Sequence, residues 1–208
     1  MCFKFDKKSF RNHAKAELIK FANIHPKCTS KTVSDKIYFL IRSLKCKNIL
    51  LFSPLFYEPN LLNLRPKLAK KYNLFLPFMV NKSLKAVKLR LPFNIAKFKV
   101  KQPPNSNAFV KKLDLVIIPV IGVDTNMARI GHGFGFYDRF LNSLNHKPIV
   151  IFVGIKDMFI NAQICDFHDI KADFYITPTK IYSKAIHDRS NYMHSRFGCW
   201  RSRRIFSS

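Results

Sequence analysis

The segment ARIGHGFGFYDRFL, residues 128–141, decides the expected fold of this chain. An apolar run before it, residues 115–120, has the composition of a buried parallel strand. The residues after the last glycine have the apolar spacing of an amphipathic helix. The predicted order is therefore strand, glycine loop and helix.

Three glycines stand at alternate positions of the loop: Gly131, Gly133 and Gly135. Without Cβ atoms they let a ligand approach the main chain, and they permit positive φ angles that turn consecutive N–H groups toward one anion. The following helix is expected to add its N-terminal N–H groups and dipole. The spacing matches neither G-x-G-x-x-G nor the Walker pattern, so the glycines alone leave open a connection that binds nothing.

Charged residues flank the glycines. Arg129 enters the loop, and Tyr137, Asp138 and Arg139 follow it. A guanidinium can bind two phosphate oxygens, and a carboxylate beside bound phosphates can hold Mg²⁺. These neighbours favour a site for a nucleotide complexed with a metal ion over an empty connection.

With 208 residues, the chain is long enough for one α/β domain with a substantial core. Its formal net charge of +25 is extreme, and it contains only two glutamates, Glu17 and Glu58. Such a charge attracts polyanions, including nucleotides, nucleic acid and acidic membranes, without choosing among them. Because the lysines are spread along the chain, a lysine-rich composition explains the charge as well as a dedicated nucleic-acid surface does.

Five cysteines are scattered through the chain without a C-x-x-C pair. This pattern predicts neither a disulfide framework nor a zinc site, and a reducing cytoplasm is the expected compartment. No apolar run approaches the ~18 residues of a membrane helix, and the N-terminus lacks the apolar core of a signal peptide. We expect a cytoplasmic protein without a membrane segment.

Two basic residues near the N-terminus share one face of a predicted helix. Residues 6–24 carry apolar side chains at helical spacing: Phe10, Ala14, Leu18, Ile19 and Phe21 or Ala22. Lys7 and Arg11 are four residues apart and therefore project from the same side of this helix. From the residues alone, a solvated basic face is the simplest interpretation.

A single carboxylate follows the first predicted strand. Residues 48–53 are predicted to form this strand, after a helix over residues 32–45 that turns inward Ile37, Phe39 or Leu40, Ile41 and Leu44. Ser53 and Glu58 come at the carboxyl end of the strand, the edge where open α/β sheets bind ligands. Residues 59–113 contain no acid, so Glu58 is isolated, and a solvated loop residue is an equally open interpretation.

The remaining pattern continues the alternation of strands and helices. Strands are predicted at residues 74–80, 84–91, 148–154 and, as the last one, 173–177; residues 61–72 form a helix broken at Pro66, and residues 155–165 a short irregular or helical piece. Residues 1–182 are therefore predicted to form one α/β domain. Residues 183–208 are basic and lack apolar periodicity, which predicts a tail that is simply untied or holds RNA or a membrane surface.

The run from Arg129 to Asp138, with residues 114–119 and Asp124 before it, resembles the signature of the 5-formyltetrahydrofolate cyclo-ligase family. That signature is R-L-G-x-G-x-G-Y-Y-D after a strand ending in P-G-x-x-F-D. The resemblance covers residues 7–178 and is closest over 113–141. It implies an α/β fold, a three-layer α/β/α sandwich with a mainly parallel sheet of the NagB/RpiA/CoA-transferase type. It also implies ATP- and Mg²⁺-dependent conversion of 5-formyltetrahydrofolate to 5,10-methenyltetrahydrofolate, with release of ADP and phosphate.

The resemblance implies roles for individual residues. It makes Arg129 and Asp138 catalytic and assigns the metal to Asp138 and Asp173. It assigns ATP binding to Lys7 (with Lys8 as an alternative register), Arg11, Arg129, Ile130, Gly131, His132, Gly133, Phe134, Gly135, Phe136 and Tyr137. It assigns the folate substrate to Ser53, Glu58, His132, Gly133, Phe134, Gly135 and Phe136.

Several positions depart from the family pattern. Phe134 stands where lysine is frequent, Phe136 replaces the first tyrosine of Y-Y-D, and His132 occupies a variable position. Met127 stands at a usual turn glycine and Gln102 at a usual glutamate. Loss of the lysine removes one phosphate cation, for which Arg139 or a lysine elsewhere is a candidate replacement.

The expected partners are the small-molecule folate and ATP, bound by a monomer or weak dimer, with nucleic acid reached only through the basic surface or tail. Two other functions stay open at this point. One is a basic RNA-binding protein that uses the same α/β scaffold without ligase activity. The other is a nucleotide-dependent kinase of a different small molecule.

Overall fold

The computed structural model describes residues 6–25, 28–81, 83–95, 100–105 and 112–183. Its helices are α1 (Lys7–Ile24), α2 (Cys28–Ser43), a 3-10 helix (Leu61–Leu64), α3 (Arg65–Leu68) and α4 (Phe136–Asn142). Its strands are β1 (Asn48–Leu50), β2 (Asn73–Val80), β3 (Ser83–Lys88), β4 (Asn94–Ile95), β5 (Lys101–Gln102), β6 (Leu115–Pro119), β7 (Gly122–Val123), β8 (Arg129–Ile130), β9 (Ile149–Val153), β10 (Phe174–Ile176) and β11 (Ile181–Ser183).

A seven-stranded sheet with the order β11-β10-β9-β6-β1-β2-β3 forms the centre of the fold. Its five inner strands are parallel, and the edge strands β3 and β11 pair antiparallel with their neighbours. β2 lies on one side of β1 and β6 on the other. A topological switch point therefore lies between β1 and β6, where sheets of this kind bind ligands.

Helices cover both faces of the sheet, which confirms the predicted α/β fold. Alternate residues of β1 and β6 point to opposite faces: Ile49 and Ile117 pack with α2 and α3, whereas Leu50 and Ile118 share a core with Phe140 of α4. The apolar stripe of α1 packs on residues that follow β1, β6 and β9: Tyr57, Ile121 and Ile155. α1 therefore lies at the carboxyl edge of the sheet.

Most predicted elements are confirmed, and the differences have simple physical causes. Phe39 is 56% exposed and Leu40 is buried, which settles the inward face of α2. Pro66 divides residues 61–72 into the 3-10 helix and α3, because proline fits a first helical turn but not an interior. Residues 155–165 form no helix.

The sequence predicted that residues 173–177 form the last strand of the chain, and this prediction is wrong. The strand at this position, β10, is followed by β11, and the two pair as an antiparallel hairpin. β11 reaches Ser183, and the rest of the predicted tail, residues 184–208, lies outside the described residues. Among the helices of the described part, none has the length and hydropathy needed to cross a bilayer.

Candidate active site

Two cavities lie beside residues 131–135, the connection from β8 to α4 that we call the glycine loop. The larger has a volume of about 830 Å³ and extends from the segment after β1 to the β2–β3 hairpin. The smaller, about 290 Å³, lies between the glycine loop, the start of α1 and residues 168–169. Arg129 and Gly135 line both cavities, so the two spaces meet at this loop.

The residues of the glycine loop alternate between the two cavities. The three glycines line the smaller one, and the residues that follow each of them line the larger one: His132, Phe134 and Phe136. The loop bends at residues 133–134, and Gly133 and Gly135 have positive φ angles. The sequence pattern therefore presents bare main chain to one cavity and side chains to the other.

Close approach explains two of the glycines. A Cβ atom on Gly131 would lie 2.5 Å from Nη2 of Arg129, so any side chain there would displace the guanidinium. Gly133 has a φ of +94° and faces the guanidinium of Arg11, with Nη1 3.2 Å from the position of a Cβ. The loop is thus shaped around two arginines as well as open to a ligand.

The short β7–β8 hairpin, which the sequence did not predict, carries the chain from β6 to the glycine loop. Asp124 is fully buried there, and its Oδ1 accepts hydrogen bonds from the N–H groups of Asn126 and Ala128, both at 2.9 Å. Met127 takes a left-handed φ of +57°, the conformation for which its family position usually carries glycine. The turn is retained because the Asp124 hydrogen bonds hold it.

Glu58 is a buried carboxyl group in the wall of the larger cavity, with 9% of its surface exposed. Its Oε2 accepts a hydrogen bond of 2.9 Å from the N–H of Leu55. Burial raises the pKa of Glu58 to about 7, although the Leu55 N–H and the charge of Arg129 act in the opposite direction. Ser53, also buried, lines the same wall, and its Oγ has no hydrogen-bond partner within the described residues.

His132 and Tyr57 form a hydrogen-bonded pair in the larger cavity, with Nε2 and Oη 2.6 Å apart. Burial, followed by the charges of Arg129, Lys15 and Arg11, lowers the pKa of His132 to about 4. Burial and the neighbouring Glu58 raise the pKa of Tyr57 to about 12. At neutral pH the pair is therefore uncharged, and it suits the uncharged part of a ligand.

Arg129 stands at the junction of the two cavities and is only 7% exposed. Its Nη1 donates to Oδ2 of Asp138 at 3.3 Å, and its guanidinium carbon lies 5.1 Å from the ring centre of Tyr137. Its Nε has no partner among the described residues. A buried cation with an unused donor indicates a site built for an anionic ligand.

Lys7 and Arg11, which share one face of α1, both line the smaller cavity. Arg11 donates from Nε to the carbonyl oxygen of Gly131 at 2.7 Å. Lys7 forms ion pairs with Asp169 and, at 3.2 Å, with Asp166. Partial burial alone would lower the pKa of Lys7, but these two carboxylates raise it. The ammonium therefore stays charged beside the cavity.

The structure does not bring Asp173 to the cavity where the predicted metal pair would need it. Asp173 directly precedes β10, so it lies at the amino edge of the sheet, and its Oδ2 accepts the N–H of Val150 at 2.8 Å. Asp169 lines the smaller cavity together with Asp138, whose Oδ1 accepts the N–H of the adjacent Ile170 at 3.4 Å. Of the two aspartates, Asp169 and not Asp173 lines this cavity with Asp138.

Two further residues that were predicted to bind ATP do not present their side chains to the smaller cavity. The side chain of Ile130 is fully buried in the core with α1, so only its main chain is available to a ligand. Tyr137 lines the larger cavity rather than the smaller one. Arg139, for which the sequence offered only a conditional role, lines the smaller cavity.

Comparison with known proteins supports the resemblance. The sequence model of the 5-formyltetrahydrofolate cyclo-ligase family matches residues 4–178. Over 88 residues the chain is 30% identical to a 5-formyltetrahydrofolate cyclo-ligase of Mycolicibacterium smegmatis, covering 41% of this chain and 45% of the relative. A mouse (Mus musculus) protein of the same name is 34% identical over 65 residues, covering 29% and 32%. The matched segments thus span less than half of either relative.

Two solved structures share the fold. A 5,10-methenyltetrahydrofolate synthetase of Aquifex aeolicus superposes with a TM-score of 0.74 at 20% identity, covering 89% of this chain and 98% of that one. A synthetase of the same name from Mycoplasma pneumoniae gives a TM-score of 0.66 at 18% identity, covering 84% and 99%. The family match over most of the described chain, together with this fold, shows that the protein belongs to the 5-formyltetrahydrofolate cyclo-ligase family.

Proposed function

We propose that this protein catalyses the ATP-dependent conversion of 5-formyltetrahydrofolate to 5,10-methenyltetrahydrofolate, with release of ADP and phosphate. One observation carries the proposal: a larger cavity with aromatic walls and a smaller cationic cavity meet at Arg129. The reaction needs such an arrangement, because the γ-phosphoryl group of ATP must reach the formyl oxygen of the folate.

The phosphates of ATP bind in the smaller cavity. Lys7, Arg11 and Arg129 supply positive charge there, and the glycines leave main-chain groups accessible. α4 has only seven residues, so we assign the attraction to these side chains rather than to a helix dipole. Positioning and charge neutralisation are most of what a protein contributes to phosphoryl transfer.

Asp138 and Asp169 are the proposed ligands of Mg²⁺. Both line the smaller cavity, and their oxygen atoms are the donors that Mg²⁺ prefers. Asp166 and His168 adjoin Asp169, and the ligand atoms of these three residues lie within 4.8 Å of one another. When bound, Mg²⁺ neutralises charge on the phosphate oxygens. If Asp169 held the metal ion, its carboxylate would no longer neutralise Lys7, and the Lys7 ammonium would be available to phosphate.

The folate binds in the larger cavity. Glu58 faces the pterin ring, and its buried carboxyl group can accept or donate hydrogen bonds according to its protonation. Arg129 holds the γ-phosphoryl group at the formyl oxygen. Transfer of the γ-phosphoryl group to the formyl oxygen releases ADP and gives an iminium phosphate. N10 of the folate then attacks the formyl carbon of this intermediate. Loss of the N10 proton and of phosphate completes the ring.

The decisive experiment mixes purified protein, Mg-ATP and 5-formyltetrahydrofolate and follows the absorbance of the methenyl product. We expect turnover by the wild-type protein and strongly reduced turnover by Asp138→Ala and Arg129→Ala. A folded wild-type protein that forms no product under these conditions would falsify the proposal.

We also propose that the protein acts in the cytoplasm as a monomer or weak dimer, with residues 1–182 as its catalytic domain. The described cysteines, Cys28, Cys46 and Cys165, are free thiols, as a reducing compartment allows. Within the described residues no observation favours RNA binding through the basic surface, and residues 184–208 of the predicted tail lie outside them.

A further inference from the structure

On the basis of the proposed function, we propose that the smaller cavity continues into a subsite for the base of ATP. Asn142, Phe167 and His168 form this subsite, and it selects adenine over guanine. The proposed function places the phosphates and Mg²⁺ at other residues of the cavity but gives the base no position. The two ends of the cavity show where the base must lie.

The smaller cavity has two chemically different ends. Arg129 marks one end, because it also lines the larger cavity, and Gly131 lies directly against its guanidinium. Asn142 marks the other end. It lines the same cavity from the last residue of α4, about 6 Å farther along the helix axis than Asp138. The cavity therefore extends from the junction with the folate site toward the end of α4.

This arrangement fixes the direction in which ATP lies. The γ-phosphoryl group must reach the formyl oxygen of the folate, so it lies at the Arg129 end. The α-phosphate and the ribose then point toward Asn142 and residues 168–169, which line the cavity farther from the junction. The base follows on this side, away from the folate.

Asn142 offers this base a side-chain amide that has no hydrogen-bond partner within the described residues, although it lines the cavity. An asparagine amide pairs with adenine through two hydrogen bonds, because its oxygen accepts from the N6 amino group and its nitrogen donates to N7. Guanine carries the acceptor O6 in place of that amino group, so it can form only one of these bonds. Asn142 is therefore the residue that distinguishes the two purines.

Phe167 and His168 add an aromatic surface beside this amide. The ring of Phe167 is 95% exposed, and its centre lies 5.3 Å from that of His168, with an angle of 89° between the ring planes. His168 lines the smaller cavity, so the pair continues the wall of the cavity to the protein surface. A flat ligand that covers such a ring removes apolar surface from water, which is favourable. Nucleotide bases stack on aromatic side chains for this reason.

Three probes separate the base from the phosphates: the Mg²⁺ complexes of a non-hydrolysable ATP analogue, of the matching GTP analogue and of inorganic tripolyphosphate. Calorimetry measures the binding of each probe. We expect the wild-type protein to bind the ATP analogue about 10-fold more tightly than the GTP analogue, and more tightly than tripolyphosphate. Phe167→Ala should weaken binding of both analogues about fivefold and leave tripolyphosphate within about twofold. Asn142→Leu should remove the preference for adenine and leave tripolyphosphate binding unchanged.

Phe39→Ala is the matched control, because Phe39 is also an exposed aromatic residue but lies on α2 and lines neither cavity. This variant should bind all three probes as the wild type does. Thermal unfolding of each variant shows whether it is folded. Phe167→Leu, which keeps apolar volume but lacks a flat ring, serves if Phe167→Ala is not folded.

Two results with the variants would overturn the subsite. One is a folded Asn142→Leu that keeps the wild-type ratio of ATP to GTP analogue binding, and the other is a folded Phe167 variant that changes analogue and tripolyphosphate binding equally. A wild-type protein that binds tripolyphosphate as tightly as the ATP analogue would also overturn it and leave the proposed function intact. Failure of the wild type to bind any of the three probes would instead overturn the proposed function.

Discussion

The two cavities beside the glycine loop differ in chemistry although one short segment forms a wall of both. The larger is lined by aromatic side chains and a buried carboxyl group, and the smaller by cations, carboxylates and glycine main chain. The difference follows from the composition of the loop, because its glycines expose main chain to the smaller cavity whereas His132, Phe134 and Phe136 bring side chains to the larger one. Under the proposed function, this single segment would contact both substrates where their reacting groups meet. The predictions below test this division.

The largest effect is expected at Arg129, which belongs to both cavities. Arg129→Ala should lower kcat/KM by about a thousandfold, because the cation that stabilises the transferring phosphoryl group is lost. Arg129→Lys should recover part of this loss. Steady-state kinetics with each substrate varied will measure both variants. Arg129→Ala with more than about a tenth of wild-type activity would contradict the placement of phosphoryl transfer at this junction.

Glu58 and His132 should give opposite and nearly cancelling contributions to the pH dependence of stability. The folded pKa of Glu58 is raised from 4.5 to about 7, so its contribution to the free energy of unfolding decreases as pH rises through this window. The folded pKa of His132 is lowered from 6.5 to about 4, so its contribution increases as pH rises between those values. Each shift corresponds to about 3 kcal/mol.

Chemical denaturation between about pH 4.5 and pH 7 will show this cancellation. Relative to wild type, Glu58→Gln should become more stable with rising pH, and His132→Gln less stable. Parallel curves for all three proteins would mean that these groups titrate normally and do not sit in a dehydrated cavity.

Substitutions of Asp169 and Asp173 should have different effects: the first on the Mg²⁺ dependence of activity, the second on stability. Asp169→Asn should lower kcat/KM by about 50-fold and raise the Mg²⁺ concentration needed for half-maximal activity. Asp173→Asn should leave the Mg²⁺ dependence unchanged and reduce stability by about 1 kcal/mol, through its bond to Val150. The reverse outcome would restore the original assignment of the metal to Asp173.

The smallest effect is expected at Tyr57. Tyr57→Phe removes the hydroxyl group bound to His132 but keeps the ring that packs against α1. KM for the folate should rise a few-fold, about 1 kcal/mol, while KM for ATP stays unchanged. An equal rise in both constants would show that the larger cavity is not separate from the nucleotide site.

Long elements were predictable because their periodicity reports burial directly. The stripe Phe10, Ala14, Leu18 and Ala22 predicts both α1 and its buried face, and the apolar run after Asp114 predicts β6. The two-residue strands β7 and β8 were not predictable, since no periodic pattern fits two residues. β11 was missed because its alternation is short and it pairs only at the sheet edge.

The candidate site residues also fall into those that a local sequence pattern indicated and those that only the tertiary structure brought together. The sequence by itself determined the glycine loop with its flanking Arg129 and Asp138, because these form one local pattern. It also located the basic face of α1 and the lone Glu58, to which only the family resemblance gave a role in the site. Only the tertiary structure decided that Asp169 rather than Asp173 joins Asp138, and that Arg139 and Phe134 face different cavities. Those outcomes depend on the sheet edge to which a strand brings a residue and on the conformation of the glycine loop, and both are fixed by packing between segments distant in the chain.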